Sequence, residues 1–244
     1  MNLNGAVAMI TGGARIGITV AEELAREGCN VSLVYRSSRA SAERAAEKVR
    51  EQGSQTGIFK GDMTKEPDIK RVIKQTLRTF GRIDILVNMV SIYESTPWGK
   101  LDEKVFNENF NANLKSAYLT SLHAAPFLKK SEGRIVNFSD WVCASGRPRY
   151  KGFIPYFTSK MGLLGLTQSL ALELAPQVLV NAIAPGPILP PVGISSKEKK
   201  NVEKSTPLGR WGGSLEIAKT VLFLCKTDFV TGECIRVDGG RHLY

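Results

Sequence analysis

The chain has 244 residues, 43% hydrophobic and 23% charged, with a formal net charge of +10. That length suits one large α/β domain with a sizeable core, the composition is that of a soluble globular protein, and no apolar run approaches the roughly 18–20 residues of a membrane span. The positive charge points to an anionic small molecule rather than to nucleic acid, because it is dispersed and its densest block, "KEKKNVEK" (197–204), is interleaved with glutamate as on a solvated helix face.

Short β-rich runs recur along the chain: "AVAMIT" (6–11), "NVSLVY" (30–35), "QTGIFK" (55–60), "RIDILVN" (82–88), "RIVNFS" (134–139), "VLVNAIA" (178–184) and "CIRV" (234–237). The opening "MNLNGAVAMITGGA" has no basic leader, so it reads as a first strand and the protein as cytoplasmic. Between the strands lie segments with helical apolar spacing; in "TVAEELAREG", Val20, Leu24 and Ala25 share a face and Gly28 is a natural stop. Strands alternating with helices of this length predict right-handed βαβ units, hence a single Rossmann-like domain over 1–244, doubly wound on a parallel sheet of about seven strands. The irregular stretch 184–213, rich in proline and glycine, predicts a long loop with a short helix that serves as a substrate loop. Cys29, Cys143, Cys225 and Cys234 are scattered, and neither His123 nor His242 has a partner at ligand spacing, so neither a disulfide framework nor a metal site is expected.

The turn after the first strand, "TGGARIG" (11–17), offers backbone N–H groups and a helix N-terminus to a pyrophosphate. Gly12, Arg15, Ile16 and Gly17 are therefore candidate cofactor residues. The second strand ends on "YRSS", Tyr35 to Ser38, where an NAD enzyme commonly carries an acid. An arginine flanked by hydroxyls suits a 2′-phosphate, so Arg36, Ser37 and Ser38 point to NADP(H), with Arg15 as a second cation. Asp62, followed by Met63 after the third strand, is placed to meet the adenine edge or to cap the next helix.

With "LVNMVS" (86–91), "NANLKSAYL" (111–119), "GRIVNFSD" (133–140), "YFTSK" (156–160), "VNAIAPGPI" (180–188) and "VDGG" (237–240), these motifs resemble the short-chain dehydrogenase/reductase family over essentially the whole chain. The resemblance implies that Tyr156 exchanges the proton. Lys160, one helical turn on, would hold the nicotinamide ribose and lower the tyrosine pKa. Asn113 would support a water chain to that lysine. Asn88, Val90 and Ser91 would line the cofactor, Pro185, Gly186 and Ile188 would contact the nicotinamide, and the protein would be a homotetramer.

The chain departs from the family in a glycine loop one residue short, in "NMVS" where "NNAG" is usual, and in Asp140 where a substrate-orienting serine is usual, with Ser139 the fallback. Arg15, the "RS" after the second strand, Ser91 and Asp140 together resemble the pteridine reductase branch, where Tyr93 would match an aromatic stacking on the pterin. The branch implies an NADPH-dependent reduction of a dihydropteridine, with Tyr156 the proton donor and Asp140 a relay. An ionised carboxylate accepts hydrogen bonds and suits the N–H donors of a pterin, whereas a serine donates to a ketone oxygen. The alternatives are reduction of ketones or 3-oxoacyl thioesters on the same scaffold, and a non-catalytic NADP-binding sensor.

Overall fold

The structure is a computed structural model that describes residues 1–243. In chain order the elements are β1 (Val7–Gly12), α1 (Ile16–Arg26), β2 (Asn30–Tyr35), α2 (Arg39–Glu51), β3 (Thr56–Lys60), α3 (Glu66–Phe80), β4 (Ile85–Met89) and α4 (Glu103–Phe110). A π turn (Asn111–Lys115) leads into α5 (Ser116–Lys130), followed by β5 (Arg134–Phe138), α6 (Trp141–Ala144), α7 (Ile154–Leu174) and β6 (Leu179–Pro185). The last elements are α8 (Ser196–Lys204), α9 (Ser214–Lys226), β7 (Cys234–Val237) and a short 3₁₀ turn (Arg241–Leu243).

The strands form one parallel seven-stranded sheet in the order β3-β2-β1-β4-β5-β6-β7, as the strand–helix alternation predicts. The central strands bury both faces, and their side chains divide between two cores with a period of two. Ala8 and Ile10 pack with Val20 and Leu24 of α1, Ala46 and Val49 of α2, and Ile217 and Val221 of α9. Met9, between them in sequence, packs on the opposite face with Val72 of α3, Leu128 of α5 and Leu174 of α7. The fourth strand starts at Ile85, three residues later than its apolar run, because Asp84 ends the approach: its carboxylate accepts the Val7 N–H at 2.8 Å and pairs with Arg82 at 2.6 Å. The 184–213 stretch contains one short helix, α8, closed by a capping box in which Ser195 and Glu198 satisfy each other's backbone N–H groups.

The connections from β1 through β2 to β3 run one way across the sheet, and the chain then returns to place β4 on the other side of β1. That reversal opens a crevice at the carboxyl ends of β1 and β4, the place where doubly wound sheets bind ligands. Among the described residues no helix is long and apolar enough to cross a membrane.

Candidate functional site

A groove of about 280 Å³ runs along the carboxyl ends of β1, β2 and β4. Its floor is backbone. Gly12 and Gly13 both adopt positive φ (75° and 78°), and a Cβ on Gly13 would stand 2.9 Å from the Met89 sulfur, so a side chain there would fill the cradle that a pyrophosphate needs. The Gly17 N–H returns to the Gly13 carbonyl at 2.6 Å, which closes the shortened loop as a tight turn and still presents the start of α1 to the groove.

One end of the groove is lined by Tyr35, Arg36, Ser37 and Ser38. Arg39 is paired with Glu43, whereas Arg36 is exposed and has no carboxylate partner among the described residues. The Ser38 hydroxyl donates to Ser41 at 2.8 Å instead of capping α2, and Arg44 donates to Ser41 at 2.9 Å. Ser41 and its Arg44 support were not expected from the sequence; the small-residue start of "RASAERAAEK" was the available signal. Asp62 and Met63 also line the groove, and one Asp62 oxygen accepts the Thr64 N–H and hydroxyl. Val90 and Ser91 line the opposite wall. The donor set fits a dinucleotide carrying a 2′-phosphate.

Arg15, Ile16, Asn88, Pro185, Gly186 and Ile188 do not line this groove. The Arg15 guanidinium donates to the Pro190 carbonyl at 2.7 Å and ties the glycine loop to the segment after β6. Ile16 packs against the core. Asn88 is buried behind the groove, donating to Ser121 (3.2 Å) and Asn137 (3.0 Å). Pro185 ends β6 against Val237, Gly186 permits close approach of Asp238, and Ile188 lines a separate cavity with Arg210 and His242.

At the inner end of the crevice stand Asp140, Tyr156 and Lys160. Asp140 follows β5 and caps α6, accepting the Val142 N–H at 2.8 Å through one oxygen. Its other oxygen accepts the Tyr156 O–H, also at 2.8 Å. Ser139 is buried and donates to the Lys160 carbonyl (3.1 Å), so the group facing the tyrosine is the carboxyl of Asp140. Lys160 lies in the same helix as Tyr156 and donates its Nζ to the Phe138 carbonyl at 2.5 Å.

Burial raises the Asp140 carboxyl above its ordinary pKa, against the opposing pull of the Val142 N–H, the Tyr156 O–H and the Lys160 charge. Burial lowers Lys160 to about 8, with Asp140 and Cys143 opposing. Tyr156 is raised well above its ordinary value, first by burial and then by Asp140. The expectation that Lys160 lowers the tyrosine pKa is therefore reversed: the neighbour that dominates is an acid, and Tyr156 stays a phenol with a proton to give. Asn113 is buried nearby. Its amide is committed to Ile92, accepting the N–H at 2.8 Å and donating to the carbonyl at 3.3 Å, and to Ser159 at 3.0 Å. It clamps the segment after β4 onto α7 from within the π turn, a helix irregularity frequent at functional sites.

A second cavity, about 210 Å³, opens beside Tyr156 and Asp140. Tyr93 lines it as expected, and so do Trp141, Tyr150 and Phe153, which the sequence expectation omits. The signal was the aromatic density of "RYKGFIPYF" (149–157), which reads as core until Tyr156 is placed.

A parallel sheet with a phosphate-binding turn at its switch point and a buried Tyr–Lys pair at the crevice end defines a dinucleotide-dependent oxidoreductase. The comparisons narrow this class. The family described as "Enoyl-(Acyl carrier protein) reductase" matches residues 12–242. The 3-oxoacyl-[acyl-carrier-protein] reductase FabG of Staphylococcus aureus is 34% identical over 243 residues, covering 97% of this chain and 98% of that protein. A short-chain dehydrogenase/reductase from Serratia marcescens superposes with a TM-score of 0.92 at 29% identity, over 99% of this chain and all of that one. A blue fluorescent protein from a metagenomic library, solved with NADPH, superposes with a TM-score of 0.90 at 28% identity, over 99% of each chain. The chain belongs to the short-chain dehydrogenase/reductase family and is an NADP-dependent enzyme.

The pteridine reductase assignment does not stand, because the relatives are 3-oxoacyl reductases. With it falls pterin reduction. The structure shows why the resemblance misled. Arg15, one of the residues that carried it, donates to the Pro190 carbonyl, and the Tyr93 ring stacks on Phe153 (centroids 4.7 Å, interplanar angle 20°) as part of an aromatic cluster of this protein's own.

Proposed function

We propose that the chain reduces a ketone of the 3-oxoacyl thioester type with NADPH. The observation that carries this reading is the Tyr156 O–H held 2.8 Å from Asp140 beside an apolar pocket at the end of the nucleotide groove. The name shared by its relatives supports the same carbonyl chemistry. Arg36, Ser37 and Ser38 would hold the 2′-phosphate, the start of α1 the pyrophosphate, and Lys160 the ribose. When bound, NADPH supplies the hydride that reduces the carbonyl carbon.

The protein's own part is the proton. While Asp140 is ionised it takes the only hydrogen of Tyr156, and a carboxylate oxygen opposes a carbonyl oxygen. With Asp140 protonated, its O–H donates to Tyr156, whose own O–H turns to the substrate oxygen. Tyr156 then gives its proton to that oxygen and recovers one from Asp140, which is reprotonated from solvent. Burial of the carboxyl favours the protonated form that this sequence needs.

The same reading makes residues 184–213 the substrate loop, and the exposed apolar side chains Tyr118 and Leu122 of α5 and Met161 and Leu172 of α7 a self-association face of a homotetramer. Four free cysteines suit a reducing, cytoplasmic setting. The experiment is direct: acetoacetyl thioester added to the protein with NADPH should lower the NADPH absorbance. Absence of any turnover with ketones or thioesters overturns the reading.

A further inference from the structure

The pocket beside Tyr156 is walled by rings in an unbroken series. Tyr93 meets Tyr156 edge-on with centroids 4.8 Å apart, and Phe153 stacks on Tyr93 at 4.7 Å. Tyr150 stands edge-on to Phe153 at 6.3 Å, and Trp141 edge-on to Tyr150 at 6.5 Å. The far end of this wall is braced. The guanidinium carbons of Arg149 and Arg241 each lie 5.5 Å from the Trp141 ring centre. Arg241, in the turn after β7, also donates to the Val202 carbonyl (3.1 Å) and the Ser205 hydroxyl (2.5 Å) at the end of α8. Arg149 donates to the His242 carbonyl at 3.2 Å. The C-terminal turn, α8 and the loop before α7 thus hold the wall in one shape.

Walls of leucine and methionine adapt to a flexible chain. A braced wall of rings instead rewards a flat partner through edge-to-face and offset contacts, worth roughly 2- to 12-fold in affinity per ring pair beyond the area buried. Straight chains gain only the area. We propose that the group on the substrate's carbonyl carbon is an aromatic or similarly planar ring, so that the preferred substrates are aryl ketones and 3-aryl-3-oxo esters or thioesters. The proposal rests on the carbonyl-reductase reading and names its substrate class.

The test compares three ethyl 3-oxopropanoates whose ketone carbon bears phenyl, cyclohexyl or n-hexyl. The three groups have equal carbon count, and only phenyl is flat. Conjugation makes the phenyl ketone the least electrophilic, so chemistry alone works against it. The expected result is kcat/KM at least about tenfold higher for phenyl than for either other ester, with KM carrying most of the difference. Phe153→Leu should shrink that ratio at least about threefold. Cyclohexyl or hexyl equal to phenyl overturns the proposal. If none is reduced, the carbonyl-reductase reading fails, and calorimetric binding of the three esters to the NADP⁺-loaded protein still decides: tighter phenyl binding sustains the aromatic preference, and equal binding overturns it.

Discussion

The two halves of the crevice are built in opposite ways. The nucleotide groove is mostly backbone and short polar side chains contributed by contiguous turns, Gly12 to Gly17 and Tyr35 to Ser41. The pocket at its end is made of large side chains drawn from the segment after β4, the start of α6, the loop before α7 and the start of α7, with Arg241 of the C-terminal turn packed behind Trp141. A cofactor shared by a whole family can be held by local motifs, whereas substrate selection lives in contacts between segments far apart in the chain. The electrostatics differ too: the groove end is basic and open, and the pocket encloses a buried acid.

The largest way to break that comparison is at the junction. Tyr156→Phe removes the proton donor and little packing, so turnover should fall roughly 10²- to 10⁴-fold while NADPH affinity, followed by titration, stays within about threefold. Near-full activity would remove the tyrosine from the chemistry. Next in size is Arg36→Asp, which replaces a charge-assisted contact worth roughly 1.5–3 kcal/mol with repulsion and should weaken NADPH binding about 10- to 150-fold, with NADH far less affected. An unchanged NADPH Kd would contradict the role of Arg36. Smaller still is Arg15→Ala. Because Arg15 bonds to Pro190 and lies outside the groove lining, the substrate KM should rise a few-fold, about the cost of one exposed hydrogen bond. A drop in NADPH affinity instead would return Arg15 to the phosphate.

What could be read from the sequence follows the same division. The central strands were visible as apolar runs because a parallel sheet buried on both faces leaves no polar alternation to blur them. "YRSS" and "TGGARIG" spoke for the cofactor because their function depends on their own backbone and neighbours. Asp140 was recognised as standing at the tyrosine, but its meaning was not legible. The same carboxyl suits a pterin when ionised and a ketone when protonated, and the burial that raises its pKa is a property of the packed site. The clamp that Asn113 makes on Ile92 and Ser159 was not legible for a related reason: it depends on partners 21 and 46 residues away. Trp141 and Arg241 stand a hundred residues apart, and only the fold makes them neighbours.

The central claim is that a protonated Asp140 frees the Tyr156 proton for a carbonyl. It is tested by the pH profile of kcat for acetoacetyl thioester reduction, in the unmodified protein and in Asp140→Ser. Burial raises the Asp140 pKa, so the competent form is present at low pH and is lost as pH rises through the folded value. Tyr156 and Lys160 of α7, Cys143 of α6 and Tyr93 are the titratable groups coupled to it. Lys160, lowered to about 8, adds a second fall on the alkaline side as its charge is lost. The unmodified protein should therefore show two falling limbs. A serine hydroxyl donates without titrating, so Asp140→Ser should lose the more acidic limb, keep the one near Lys160, and be the more active of the two at neutral to mildly alkaline pH. Superimposable profiles, or a serine variant inactive at every pH with its fold and NADPH binding intact, would contradict the account.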